Sequence, residues 1–279
     1  MLVKRTMSKN VVSVSVPGNR EKVLDLMRKE NKAVLPVVKD DTNELVGLIT
    51  RSDLINNPDE EQIAMLMSRN LVTANPSDDV TDVAKQMIEN NVRRVPVVND
   101  EGELVGIITS YDLVSKALTK IDVDDAVENY MIDTVPTTWD QSPLNVAFES
   151  MKQFGLKCIL ALNNDAKLSG ILTETDFIAE SEIISERSEH SSTVGTEGDK
   201  WSWDSTSVLY IEKNSLKFTD KVVKDVAIGN VEVANSKTKV TDCAKKMKSL
   251  NIEQIPVIGV EGELVGLVRA SDLIKALVE

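Results

Sequence analysis

Aromatic residues make up only 4% of the 279-residue chain, histidine occurs once, and cysteine twice, at Cys158 and Cys243. With so few aromatics the interior must be built from Val, Leu, Ile, Ala and Met, which suits thin α/β layers. Neither cysteine belongs to a CxxC pattern or a Cys/His cluster, so a structural zinc site is not expected. No run approaches the roughly 20 continuous apolar residues of a membrane helix, and MLVKRTMSKN at the start lacks the apolar centre of a secretory signal. A soluble, cytoplasmic protein without membrane partners is the expectation. Positive charge is also short, 32 Lys and Arg against 45 Asp and Glu, a net charge of −13. That excess repels phosphate backbones and argues against nucleic acid as a partner, while leaving room for a local basic pocket. At 42% hydrophobic residues the chain can bury a real core, and its length suits about two domains.

What is present is repetition. ELVGLITRSDL (Glu44 to Leu54), ELVGIITSYDL (Glu103 to Leu113), KLSGILTETDF (Lys167 to Phe177) and ELVGLVRASDL (Glu263 to Leu273) are versions of one pattern. Each follows a short β-rich run: LPVV at Leu35, VPVV at Val95, CILAL at Cys158 and IPVI at Ile255. Met27, Met87, Met151 and Met247 stand nine positions before the proline of that run, or before Leu160 in its place. Val80, Val83, Ala84, Met87 and Ile88 recur at helical spacing and predict an amphipathic helix. VPVV and ELVGIIT predict a hairpin turning at Asn99 to Gly102, and a second helix opens after Thr109. Each unit therefore reads as lead-in strand, helix, strand, strand, helix, an α/β (α+β) organisation.

The glycines Gly47, Gly106, Gly170 and Gly266 stand 59, 64 and 96 residues apart, so about 32 extra residues lie in the last interval. The units are placed at 1–57, 58–120, 121–182 and 219–279, with a polar, acidic and aromatic insertion at 183–218. Two readings of the insertion stay open. Either it folds back over the third unit, with VLYIEKNSLKF in a hairpin, or Trp201 and Trp203 dock a partner protein.

The pattern Gly, two apolar residues, Thr or Ser, two variable residues, Asp resembles the CBS domain, named after cystathionine β-synthase, whose tandem pairs form Bateman modules. It is complete in GLITRSD, GIITSYD and GILTETD, whereas GLVRASD carries Arg269 in place of the hydroxyl residue. The resemblance covers nearly all the chain outside the insertion. It implies two Bateman modules, 1–120 and 121–279, in a disk-like array, and a stand-alone, non-catalytic regulator laid out like the γ subunit of AMP-activated protein kinase. It also implies AMP, ADP, ATP or S-adenosylmethionine as regulatory ligand rather than a catalytic cofactor. An unidentified protein partner would read the signal, with either a homodimer or a single chain closing the array. The dehydrogenase activity associated with some CBS-bearing enzymes is not expected, since no room is left for a (β/α)₈ barrel of about 250 residues.

Residue by residue, the resemblance assigns the ribose hydroxyls to Asp53, Asp112, Asp176 and Asp272, because one carboxylate can accept from two neighbouring hydroxyls. Thr50, Thr109 and Thr173 fall on the phosphate side, with Arg93, Arg94 and Lys157 as cations. Val12, Val72, Pro36 and Pro96 line the adenine. The same T-x-x-D spacing is also a helix capping box, worth about 1 kcal/mol without any ligand, and both roles can coexist at one site. A protein scaffold with empty clefts, acting through its surface and insertion, is the alternative function.

Overall fold

The computed structural model describes residues 1–30, 32–57, 59–192, 207–218 and 220–279. Trp201 and Trp203 of the insertion lie outside them.

Four times the chain builds the same small sheet and two helices. The first unit runs β1 (Val14–Val16), α1 (Arg20–Lys29), β2 (Val34–Lys39), β3 (Leu45–Thr50) and α2 (Arg51–Asn56). After a single-turn helix α3 (Ile63–Leu66), the second runs α4 (Val80–Glu89), β4 (Arg94–Val98), β5 (Leu104–Thr109) and α5 (Ser110–Lys116). Its lead-in is reduced to a bridge between Ala74 and Val97. The third has β6 (Thr137–Trp139), α6 (Leu144–Gln153), β7 (Cys158–Leu162), β8 (Leu168–Thr173) and α7 (Glu174–Ala179).

Next come β9 (Ser181–Ser192) and β10 (Ser207–Phe218), one antiparallel ribbon in register from Ser181 opposite Phe218 to Ser192 opposite Ser207. The expected hairpin within VLYIEKNSLKF is corrected: these residues form one continuous strand, part of β10. Its partner was not legible, because SERSEHSS offers no apolar alternation. The fourth unit follows: α8 (Val223–Val226), β11 (Ala234–Asn235), α9 (Val240–Leu250), β12 (Gln254–Ile258), β13 (Leu264–Arg269) and α10 (Ala270–Leu273).

In each three-stranded sheet the lead-in pairs parallel with the first hairpin strand, which pairs antiparallel with the second. The register slips at one equivalent place in all four hairpins, Val37/Val38, Val97/Val98, Ala161/Leu162 and Val257/Ile258. The turn then needs one residue with positive φ: Gly102 and Gly262 supply it, and Asn43 and Ala166 adopt it at 57°. Asparagine tolerates that region better than most residues, and glycine freely.

The chain divides into two compact units, residues 1–135 with 232–279, and residues 136–231. In the first, one core joins the second and fourth repeats: Met87, Leu113 and Leu118 pack in the same cluster as Met247, Leu273 and Ile274. The first repeat has its own core around Val23, Met27, Leu35 and Ile49. In the other unit, Leu144, Met151, Leu172 and Phe177 form the core, with the Phe148 and Phe177 rings 5.5 Å apart. Cys243 is fully buried and Cys158 half-buried, and burial pushes the Cys243 thiol up to about 12. No helix among the described residues is long and apolar enough to cross a membrane.

Candidate functional site

The first two repeats are laced together by their lead-in segments. Ser8, ahead of β1, exchanges backbone hydrogen bonds with Ile107 of β5, in the second repeat, while Val14 pairs with Val37 of β2 in the first. Ser68 does the same with Leu48 of β3, while Ala74 bonds to the backbone on either side of Val97. Residues 9–13 and 69–73 therefore each cross from one sheet to the other. Within the same compact unit Ile132 makes this exchange with Leu267, and within the other unit Ile228 makes it with Ile171.

The crossings explain the glycine of the repeated motif. A Cβ on Gly106 would sit 2.6 Å from Met7 Sδ, one on Gly47 2.6 Å from Met67 Sδ, and one on Gly266 2.5 Å from Met131 Sδ. At Gly170 the obstacle is the Cβ of Ala227, at 2.8 Å. A residue just ahead of each crossing is thus seated on bare backbone.

Both crossings of the first pair reach the strand ends that carry the T-x-x-D motifs. Because β1 and β2 are parallel and Val14 faces Val37, the segment that holds Val12 enters β1 from the side of β2 where Val34 pairs with Thr50. In the same way the segment that holds Val72 reaches the Ala74–Val97 bridge from the side of β4 where Arg94 pairs with Thr109. Val12 packs on the core of the first repeat and Val72 on that of the second, and Pro36 and Pro96 are buried in the strands beside them. Val12, Pro36 and Thr50 thus belong to the first repeat and Val72, Pro96, Arg94 and Thr109 to the second, whose hairpins adjoin at their other ends, where Glu44 bridges Glu103.

At the first two junctions of strand and helix the carboxylate closes a capping box. Asp53 Oδ2 accepts from the Thr50 amide at 2.7 Å and the Thr50 hydroxyl at 2.7 Å, and the Asp53 amide donates back to Thr50 Oγ1. Asp112 repeats this with Thr109, the hydroxyl contact being 2.6 Å. Asp176 accepts from the Thr173 amide and hydroxyl at 2.7 and 2.8 Å. A hydroxyl has one proton, and all three threonines direct it to the carboxylate. At the fourth junction Arg269 replaces the threonine and grips Asp272 side-on, Nε to Oδ2 at 2.7 Å and Nη2 to Oδ1 at 2.8 Å.

The cations expected for phosphate lie one step from these junctions. The Arg93 carbonyl accepts the Ser110 amide, and Arg94 opens β4 opposite Thr109. Lys157, in the other compact unit, pairs with Glu174 at 2.7 Å. Sequence reasoning missed Lys116, whose Nζ donates to Asp112 Oδ1 at 2.6 Å and to the Thr6 carbonyl at 2.7 Å. The i, i+4 spacing of Asp112 and Lys116 was the available signal. Among the described residues no group of three or more His, Cys, Asp and Glu side chains gathers as a metal site.

Known proteins share this organisation. The family model for the CBS domain matches residues 3–60, 62–118, 127–182 and 223–279. The protein MJ1225 of Methanocaldococcus jannaschii is 24% identical over 294 aligned residues, covering 98% of both chains. Its crystal structure shares the fold with a TM-score of 0.75 at 21% identity over 99% of each. A conserved protein from Pyrococcus horikoshii superposes with a TM-score of 0.68 at 26% identity, covering 99% of this chain and 100% of that one. The inosine-5′-monophosphate dehydrogenase of Thermoplasma acidophilum is 32% identical over 108 residues, which are 39% of this chain and 22% of that enzyme, so the likeness concerns a minor part of it. Matched at four places over most of its length, the chain belongs to the CBS domain family and carries four copies of the domain.

Proposed function

We propose that this protein is a non-catalytic, cytoplasmic regulator that binds an adenosine-containing ligand between its CBS repeats and passes that state to a protein partner. The observation that supports the reading is that, within one compact unit, two crossing segments join the sheets whose strands end at the Thr50–Asp53 and Thr109–Asp112 junctions. Each part has a chemical match in an adenine nucleotide. A flat apolar base fits against Val12 and Pro36 in the first repeat or Val72 and Pro96 in the second; a junction carboxylate with open lone pairs takes vicinal ribose hydroxyls; Arg93, Arg94 and, in the other unit, Lys157 attract phosphate. S-adenosylmethionine shares the base and ribose and replaces phosphate with a cation, so the basic residues favour AMP, ADP or ATP.

Regulation follows from linkage. A ligand held at once by two crossing segments favours one relative setting of the paired sheets, and a partner that prefers this setting binds better by no more than the ligand's differential affinity. Two cysteines that remain thiols suit a reducing compartment.

Thermal melts of nucleotide-stripped protein with AMP, ADP, ATP or S-adenosylmethionine test the reading. A ligand at 100 times its Kd should add about 2.7 kcal/mol and raise Tm by several degrees. If Tm stays within error for all four, ligand sensing is abandoned for a scaffold that works through its surface.

A further inference from the structure

The four repeats look equivalent in sequence, but their carboxylates are not equally free. Asp53 has its Oδ2 filled by Thr50, and no cation pairs with its Oδ1 among the described residues; Asp176 stands the same way with Thr173. Both are half-buried. Asp112 and Asp272 are 7% and 4% exposed, and each has a cation of its own repeat on the outer oxygen: Lys116 on Asp112 Oδ1 and Arg269 Nη2 on Asp272 Oδ1. An ionised carboxylate offers about four lone-pair positions. Where the cap uses two of them, a ribose needs the other two for its neighbouring hydroxyls. At Asp112 and Asp272 a charge-assisted hydrogen bond already holds part of that pair, and such bonds are stronger than those a neutral hydroxyl makes.

We infer that adenosine ligands are taken at Asp53 and Asp176 and refused at Asp112 and Asp272, with Lys116 and Arg269 acting as built-in occupants of the ribose position. The inference rests on the proposed function and sharpens it to alternate repeats. Lys116 has a second duty: through the Thr6 carbonyl it also fastens the segment that leads into the first crossing. The second repeat thereby keeps its basic strand start for charge while its carboxylate is turned to holding the chain. The arrangement is a specificity device, since two open sites can report one ligand without interference from two identical neighbours.

Titration calorimetry of nucleotide-stripped protein with AMP, and separately with ATP, tests this. The expected stoichiometry is two per chain. Asp53→Asn and Asp176→Asn, which keep the side-chain shape, should each lose one site, seen as a drop from two to one or as an affinity weakened by about tenfold or more at that site. Lys116→Met should raise the stoichiometry to three; if that variant melts more than a few degrees low, Lys116→Gln, which keeps a donor for Thr6 but no charge, serves instead. A wild-type stoichiometry of three or four, an unchanged isotherm in Asp53→Asn, or no added site in either Lys116 variant overturns the inference while leaving nucleotide binding intact. Absence of heat with both probes in wild type and Lys116 variants alike removes the proposed function itself, and this inference with it.

Discussion

Gly170 shows how strictly single positions are set where one repeat touches the lead-in of another. A methyl group there would lie 2.8 Å from the Ala227 Cβ and 3.2 Å from the Ile228 carbonyl oxygen. Backbone carbonyl oxygens stand equally close at Gly106 (Ser8, 3.1 Å) and Gly266 (Ile132, 3.0 Å), so the difference rests on the nearest atom: the Ala227 Cβ cannot turn aside, unlike the methionine sulfurs over Gly47, Gly106 and Gly266, which sit at the end of a flexible chain. Gly170→Ala should therefore cost about 2–3 kcal/mol, the upper part of the usual overpacking range, and Gly106→Ala should cost less. Urea unfolding of the two variants compares them; a Gly106→Ala loss equal to or above that of Gly170→Ala would show that the methionine cannot yield. The glycine was visible in the sequence as part of a repeated pattern. The reason for it was not, since the atoms that exclude a side chain come from other segments, 20 positions away for Gly47, 57 for Gly170, 99 for Gly106 and 135 for Gly266.

At the scale of elements, local signals carried far and non-local ones did not. Helices such as Val80–Glu89 follow from apolar spacing, the hairpins from β-rich runs parted by polar turns, and the caps of α2 and α5 from T-x-x-D. What stayed hidden needs a partner distant in the chain: the crossings, the second strand of the long ribbon, and Lys116 reaching back to Thr6. The short helix α2 gives a case to measure. Its C-terminal carbonyls are held from another element, Arg20 Nη2 on Leu54 O and Nη1 on Asn57 O, both at 2.8 Å. Because the last carbonyls of a helix lack intrahelical donors and carry the negative end of its dipole, a guanidinium that serves two of them is a strong cap. Arg20→Ala should cost about 1–2 kcal/mol, and Arg20→Lys should recover less than half, because an ammonium group cannot reproduce the two-pronged geometry. Equal stability of the Lys variant and wild type in chemical unfolding would argue that charge alone caps α2.

For the whole molecule, the decisive fact is which repeats share a core. All four repeats present similar apolar faces, so composition cannot tell which pair will meet. Leu113 and Leu273, 160 positions apart, are both fully buried in one cluster, and α5 packs against both α9 and α10. Residues 1–135 taken alone would keep the sheets and crossings of the first two repeats but lose the cover that residues 232–279 place on α4 and α5. Each Leu- or Met-sized side chain uncovered forfeits about 1.5–3 kcal/mol of burial, and the bared face would be a contiguous apolar surface of the kind that drives association. A fragment ending at Val135 is thus expected to dimerise or precipitate, its α4 and α5 faces meeting those of a second copy in place of α9 and α10. Sedimentation velocity of the fragment alone and coexpressed with residues 232–279 decides the matter. A well-folded monomer from the fragment alone would mean that the shared core is dispensable and that the first two repeats are self-sufficient. Recovery of a monodisperse complex only with the C-terminal piece would mean that the fourth repeat completes the second.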